Sequence, residues 1–166
     1  YPTGGAALNK DFSFNVDGGR CEECKGDGKI VVEMQFVADM NLICEECKGK
    51  RYKDDILDVM YNGKNISDIL NMTISEGMEF FADQKAIISG LEPLVQVGLD
   101  YLQLGQPTST LSGGEAQRLK LASFLAKGLK KADPSLFIFD EPTTGLHWHD
   151  INKLLNSFNA LLDIGH

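Results

Sequence analysis

Apolar positions recur at helical spacing through much of the chain. Ile151, Leu154, Leu155, Phe158, Leu161 and Leu162 share one face of a 3.6-residue period and predict an amphipathic helix ending near Gly165. A second stripe, Leu119, Ala122, Leu125 and Ala126, predicts a helix from Gly113 to about Lys127 with those four residues inward. Ile87, Ile88, Leu91, Leu94 and Val95 keep the spacing up to Gly98, a natural stop, although Pro93 should kink or divide this segment. Shorter helices are expected at Ile66, Ile69 and Leu70, and after Thr73, whose capping box with Glu76 opens a helix through Met78, Phe80 and Phe81. These stripes read as core and carry no chemistry of their own.

Three segments carry strand signals instead. Val32, Met34 and Phe36 alternate with Glu33 and Gln35, as a half-buried strand of a hairpin should. Ile56 to Tyr61 alternates imperfectly and reaches the tight-turn dipeptide Asn62-Gly63, so a short strand is expected there. Leu136-Phe137-Ile138-Phe139 is a continuous apolar run, introduced by the turn signal Asp133-Pro134-Ser135 and followed at once by Asp140-Glu141-Pro142. It reads as a buried parallel strand ending in two acids. Residues 1–11 are rich in small and turn-forming types and should form a loosely held arm or junction. The mixture implies an α/β fold.

Composition narrows the class. With 166 residues, 43% hydrophobic and 24% charged, the chain is long enough for a core, divided between one domain and a small satellite. No apolar run approaches membrane-spanning length and no signal-peptide pattern opens the sequence, so the expected address is the cytoplasm, with no membrane partner. A formal net charge of -8 argues against the whole chain being a nucleic-acid clamp. Any contact with DNA must be local.

The four cysteines form two near copies, Cys21-Glu22-Glu23-Cys24-Lys25-Gly26 and Cys44-Glu45-Glu46-Cys47-Lys48-Gly49. Two C-x2-C pairs separated by a hairpin-length spacer are the pattern of a tetrahedral zinc site with four thiolate ligands. Two disulfides are the rival reading, disfavoured by a reducing compartment. Four thiolates leave no open coordination position, so the expected role of the zinc is structural. Just beyond, Lys48, Lys50, Arg51 and Lys53 gather around Tyr52. Lys50, Arg51 and Lys53 are candidate DNA contacts; a solvated charged turn reads equally well.

Ser112-Gly113-Gly114-Glu115 is the other chemically loaded stretch. Ser112 and Glu115 make an S-x-x-E capping box, so the helix should begin with two glycines, each costing roughly 1 kcal/mol relative to alanine. Without β-carbons in the way, the free N–H groups, the positive end of the helix dipole and the Ser112 hydroxyl can face an anion such as a phosphate. An ordinary capped helix with a flexible start is the plainer reading of these four residues alone. Arg118, further along, either approaches phosphate or pairs with a neighbouring carboxylate; the second is expected. Asp140 and Glu141, adjacent at a strand tip, suit a cation or proton chemistry.

Taken together, Leu111 to Arg118, the apolar run, Asp140-Glu141-Pro142-Thr143 and Gly145-Leu146 resemble the signature motif, Walker B strand and D-loop of ATP-binding-cassette ATPases. More narrowly, Leu104-Gly105-Gln106-Pro107, Leu111 to Arg118 and Asp140 to His147 resemble the C-terminal half of the UvrA family, the damage-recognition ATPases of bacterial nucleotide excision repair; the likeness runs from about Phe12 to His166. It implies a partial cassette core with a helical signature subdomain and a zinc-ribbon-like β module: residues 12–53 the zinc module, 54–110 the helical subdomain, and 111–166 the signature helix, Walker B strand, D-loop and following helix. It further implies that Asp140 holds the magnesium of Mg-ATP and that Glu141 activates the attacking water. Ser112, Gly113, Gly114, Glu115 and Gln117 would meet nucleotide. Partners would be damaged double-stranded DNA, a second protomer and a UvrB-type helicase subunit. His147 stands where most cassette ATPases carry Asp, which puts general D-loop rules in doubt; for His147 and His149 a polar helix entrance is the safer reading.

No G-x-x-x-x-G-K-[ST] phosphate loop occurs. The resemblance places that loop upstream of the zinc module and the switch histidine downstream of His166, so a fragment that is inactive alone is expected. The alternative is a non-enzymatic zinc adaptor or chaperone-like ribbon, whose C-x-x-C-x-G-x-G pattern both knuckles partly fit. Leu111 to Glu115 and Asp140 to Thr143 argue against it.

Overall fold

The computed structural model describes residues 9–32, 40–126, 136–144 and 148–163, and its packing divides the chain into two compact units, Tyr1–Leu70 and Asn71–His166. Residues 1–8 of the expected arm, Met34 and Phe36 of the expected strand, the 133–135 turn signal, the expected helix ends at Lys127 and Gly165, and Gly145, Leu146 and His147 lie outside the described residues.

In the first unit, β1 (Lys29–Val32) and β2 (Met40–Ile43) pair antiparallel, with Lys29 opposite Ile43 and Val32 opposite Met40. The alternation had placed Val32 on a buried face. Instead the ladder is exposed on both sides, and only Ile30 packs, against the four cysteines. A second, antiparallel bridge, Arg20 to Tyr52, brings the chain back: Cys21 N–H donates to Arg51 C=O at 2.8 Å and Lys53 N–H to Gly19 C=O at 2.9 Å. Tyr52 then sits 1% exposed, donates its hydroxyl to Phe12 C=O at 2.8 Å and forms a small core with Ile56 and Leu57, covered by Phe12, Phe14, Ile66 and Leu70.

That core explains a correction. The strand expected from Ile56 is the single-turn helix α1 (Asp54–Leu57). Asp54 and Asp55 place negative charge on the unsatisfied N–H end, the Asp55 carboxylate accepts from Ile56 N–H at 3.0 Å, and the turn carries both Ile56 and Leu57 inward, which a strand's alternation cannot do. The Asn62-Gly63 turn is present, with both residues at positive φ (47° and 77°) and two hydrogen bonds joining Tyr61 to Lys64. Helix α2 (Ile66–Asn71) opens on a reciprocal cap, Asn65 with Asp68, that the sequence reading missed although its N-x-x-D spacing was there to see. Packing divides the chain after Leu70, and α1 belongs to the first unit, where Ile56 and Leu57 close over Tyr52.

In the second unit, α3 (Ile74–Phe80) carries the full Thr73–Glu76 capping box. Helix α4 (Lys85–Gln96) runs undivided through the buried Pro93 and ends as expected at Gly98, φ 72°, with Leu99 N–H reaching back to Leu94 C=O. Helices α5 (Gly113–Ala126) and α6 (Trp148–Asp163) both pack on α4. Val97, Leu99, Leu121, Ala122, Leu154 and Leu161 are the buried core. In α5 the inward face is Arg118, Leu121 and Ala122, with Leu119 and Leu125 half-buried; Ala126, expected inside, is exposed.

Residues 136–139 depart most from expectation. They form no ladder with any described strand. Phe137 meets Phe124 edge-on at 5.0 Å and Phe139 packs on Phe158 at 4.7 Å, while Leu136 and Ile138 are 89% and 86% exposed. The segment is covered on one face only, since a strand buried on both needs sheet neighbours and none is present among the described residues.

Candidate functional site

Two places carry chemistry, one in each unit.

In the first, all four thiols are free and buried, and their sulfurs lie within 4.8 Å of one another. The short approaches run between knuckles: Cys21 to Cys44 at 3.9 Å and Cys24 to Cys47 at 3.6 Å. A four-thiolate tetrahedron with metal–sulfur bonds of about 2.3 Å has sulfur–sulfur edges of about 3.8 Å, so the cluster is compatible with a metal ion. The knuckles repeat in backbone as in sequence. Lys25 and Gly26 turn through φ 53° and 91°, Lys48 and Gly49 through 51° and 82°. A β-carbon on Gly26 would stand 2.3 Å from the Phe14 carbonyl oxygen, which excludes any larger residue. The Gly28 amide is aimed at sulfur, 3.2 Å from Cys24 Sγ. Burial pushes the Cys47 thiol up to about 12 and raises Cys21, while the Cys47 backbone amide lowers Cys44. A divalent cation overrides such penalties by preferring the thiolate.

The basic cluster divides on inspection. Lys53 is paired with Glu22, and the Arg51 guanidinium lies over the Phe14 ring at 5.6 Å; Lys50 is exposed. Beside Cys21 and Cys47 the surface is acidic, lined by Glu22, Glu23, Glu46 and Asp54 around Lys53.

In the second unit the capping box forms as predicted. Glu115 N–H donates to Ser112 Oγ at 3.3 Å, and the Glu115 carboxylate accepts from Ser112 N–H at 2.7 Å. The first helical bond runs from Ala116 N–H to Ser112 C=O, leaving the Gly113 and Gly114 amides outside the ladder. A β-carbon on Gly113 would meet nothing within 4 Å; one on Gly114 would stand 3.1 Å from Thr144 C=O and 3.4 Å from Arg118 Nη1. The start of α5 thus abuts the turn after the two acids. Asp140 and Glu141 are both exposed. Glu141 holds φ 45°, with Thr144 N–H donating to its carbonyl at 3.0 Å and the Thr144 hydroxyl to its carboxylate at 3.3 Å.

Arg118, expected to pair with a carboxylate, makes no salt bridge among the described residues. It is 2% exposed, its Nη1 donates to Pro142 C=O at 3.5 Å, and its Nε has no partner among the described residues. Gln117 Oε1 is likewise buried and unpartnered. Tyr101 escaped the sequence reading: its hydroxyl reaches Glu115 at 2.6 Å, a contact across a loop that no spacing announces.

No protein-family profile matches the chain. It is 55% identical over 154 residues to UvrABC system protein A of Clostridium perfringens and 54% identical over 154 residues to the Agrobacterium fabrum protein of that name, each alignment covering 93% of this chain. The crystal structure of UvrA2 from Deinococcus radiodurans matches 93% of the chain with a TM-score of 0.84 at 48% identity. The chain is UvrA-family sequence. It spans 16% of the length of those two relatives and 19% of the solved UvrA2 chain. The UvrA match does not favour the zinc-adaptor or chaperone-like alternative.

Arg118 carries a prediction about stability. Met is similar in length and brings no charge to desolvate, so Arg118→Met should leave the chemical denaturation midpoint of the chain unchanged or higher. A loss above about 2 kcal/mol would show instead that the buried cation stabilises the unit.

Proposed function

We propose that this segment serves a UvrA-type DNA-repair ATPase, supplying a structural zinc module, the signature helix and the acidic Walker B turn to ATP sites completed by other parts of the longer protein. The observation that carries the reading is the meeting, within UvrA-matching sequence, of a two-glycine helix start, open at Gly113, with the turn that follows Asp140 and Glu141. In this reading Ser112, Gly113, Gly114, Glu115 and Gln117 form the nucleotide-binding stretch, in which Gly113 and Gly114 meet phosphate through backbone N–H groups at a positive helix end and Glu115 serves as the cap that holds that end in shape. Asp140 would hold magnesium, which would supply charge neutralisation to the phosphates, and Glu141 would orient and deprotonate the attacking water. The strained φ of Glu141, in a residue that Pro142 would otherwise steer to extended backbone, costs of order 1–3 kcal/mol and is the kind of feature retained at working sites. The chain by itself, lacking a phosphate loop, does not turn over ATP. A cytoplasmic setting, a second protomer, a UvrB-type subunit and damaged duplex DNA complete the proposal; in keeping with it, no helix among the described residues is long and apolar enough to cross a membrane.

Zinc fits the four-sulfur geometry. Metal analysis of reduced, freshly purified chain should give near one equivalent, and chelation should loosen hydrogen exchange around the four cysteines before the α4–α6 core. Metal-free protein with the same protection pattern would end the assignment. In a longer UvrA-family protein carrying this segment, Glu141→Gln should keep nucleotide binding and lower turnover by about 10²–10⁴; unchanged turnover removes Glu141 from its role.

For DNA, Lys50 is the one of the three candidate contacts whose side chain has no partner among the described residues, since Lys53 and Arg51 are engaged within the module. Lys50→Ala in the longer protein should weaken binding uniformly across sequences and reduce the salt slope by about 1. Equal affinity with an equal slope would make Lys50 ordinary surface.

A further inference from the structure

The loop between α4 and α5 returns one side chain to the signature. Tyr101 donates its hydroxyl to one oxygen of the Glu115 carboxylate at 2.6 Å. The other oxygen accepts from Ser112 N–H at 2.7 Å and from the Ser112 hydroxyl at 2.9 Å. Both carboxylate oxygens are therefore occupied on the Ser112 side of the helix start. The neighbouring Gly113 position stays open, with nothing near where a β-carbon would stand.

Glu115 is itself an anion at the positive end of a helix, and so a rival for any phosphate that would settle there. Its side chain has three rotatable bonds, and several orientations would carry the charge across the two glycine amides. The capping box alone ties it only within its own turn. Tyr101 is the anchor that comes from outside the helix among the described residues. Arg118 adds attraction from below, at 2% exposure, without itself hydrogen-bonding the carboxylate.

We propose that Tyr101 is a positioning residue of the signature: its hydroxyl holds Glu115 in the capping orientation, so that the Gly113 and Gly114 amides stay open to an anion. This rests on the reading above that those glycines meet a phosphate. Two titrations agree with the geometry. The Glu115 carboxyl is held below its ordinary range, first by the Tyr101 hydrogen bond, then by Ser112 and the charge of Arg118. Tyr101 is raised, by burial first and then by Glu115, with Arg118 opposing. Because the folded value of Glu115 is depressed, its contribution to stability is present above the ordinary carboxylate range and is lost as pH falls through the folded value. Loss of the tyrosine hydroxyl should move that lower boundary upward.

The test uses the whole 166-residue chain, following the Glu115 side-chain carbon by NMR across acid pH and the Gly113 and Gly114 amides on adding inorganic phosphate at neutral pH. In Tyr101→Phe, which keeps the ring, Glu115 should titrate nearer the ordinary carboxylate value and the phosphate-dependent shifts at both glycines should shrink. In a Glu115→Gln background, which removes the rival charge, Tyr101→Phe should leave those shifts alone. The inference is overturned if Glu115 titrates alike in both proteins, if its titration moves but the glycine response does not, or if Tyr101→Phe weakens the response even with Gln at 115. A wild-type chain whose glycine amides ignore phosphate, while Glu115 still titrates differently in the variant, would instead locate the failure in the anion-binding reading and remove the inference with it.

Discussion

The second unit turns on a guanidinium shut away from water. Arg118 lies in the inward face of α5 beside Leu121 and Ala122, where its Nη1 donates to the carbonyl of Pro142 and its Nε has no partner among the described residues. Desolvating a cation costs several kcal/mol, and a 3.5 Å bond to a neutral carbonyl returns little of it. What the arrangement secures is position. Nη1 of Arg118 and the α-carbon of Gly114 close on the turn that runs from Glu141 to Thr144, so the start of the helix and the two acids are held at a set distance. The nucleotide reading needs that proximity, because glycine amides and carboxylates far apart would be a capped helix and an acidic loop.

The first unit solves a different problem. Its ladder is exposed on both faces and its aliphatic core is small, built on Tyr52, Ile56 and Leu57. A module of this size has too little apolar area to hold itself by burial alone, and four buried sulfurs at tetrahedral spacing are the kind of staple that small folds use in its place. The repeated left-handed turns at Lys25-Gly26 and Lys48-Gly49 show the two knuckles to be one design used twice. Its charge is divided, acidic beside Cys21 and Cys47, with two of the four basic side chains after Cys47, Arg51 and Lys53, engaged locally.

Residues 136–139 connect packing to the matched family. Phe137 and Phe139 lie against the core while Leu136 and Ile138 are nearly bare, an alternation that suits a strand with a second layer or sheet neighbours supplied by other sequence. The chain spans 16% of the length of relatives to which it is more than half identical, and the exposed face is in keeping with that proportion.

Local chemistry was legible in the sequence. The caps at Thr73–Glu76 and Ser112–Glu115, the Asn62-Gly63 turn, the stop at Gly98 and the paired cysteines each depend on residues a few positions apart, whose backbone preferences and hydrogen-bonding capacity act before any distant contact forms. Only the tertiary structure decided the rest: that Ile56 enters a helix because Tyr52 and Phe12 await it, that α4 carries Pro93 without breaking, that Arg118 finds a carbonyl and no carboxylate, and that Tyr101 reaches Glu115. These outcomes depend on which groups far apart in the chain come within hydrogen-bonding or packing distance, and periodicity carries no record of that.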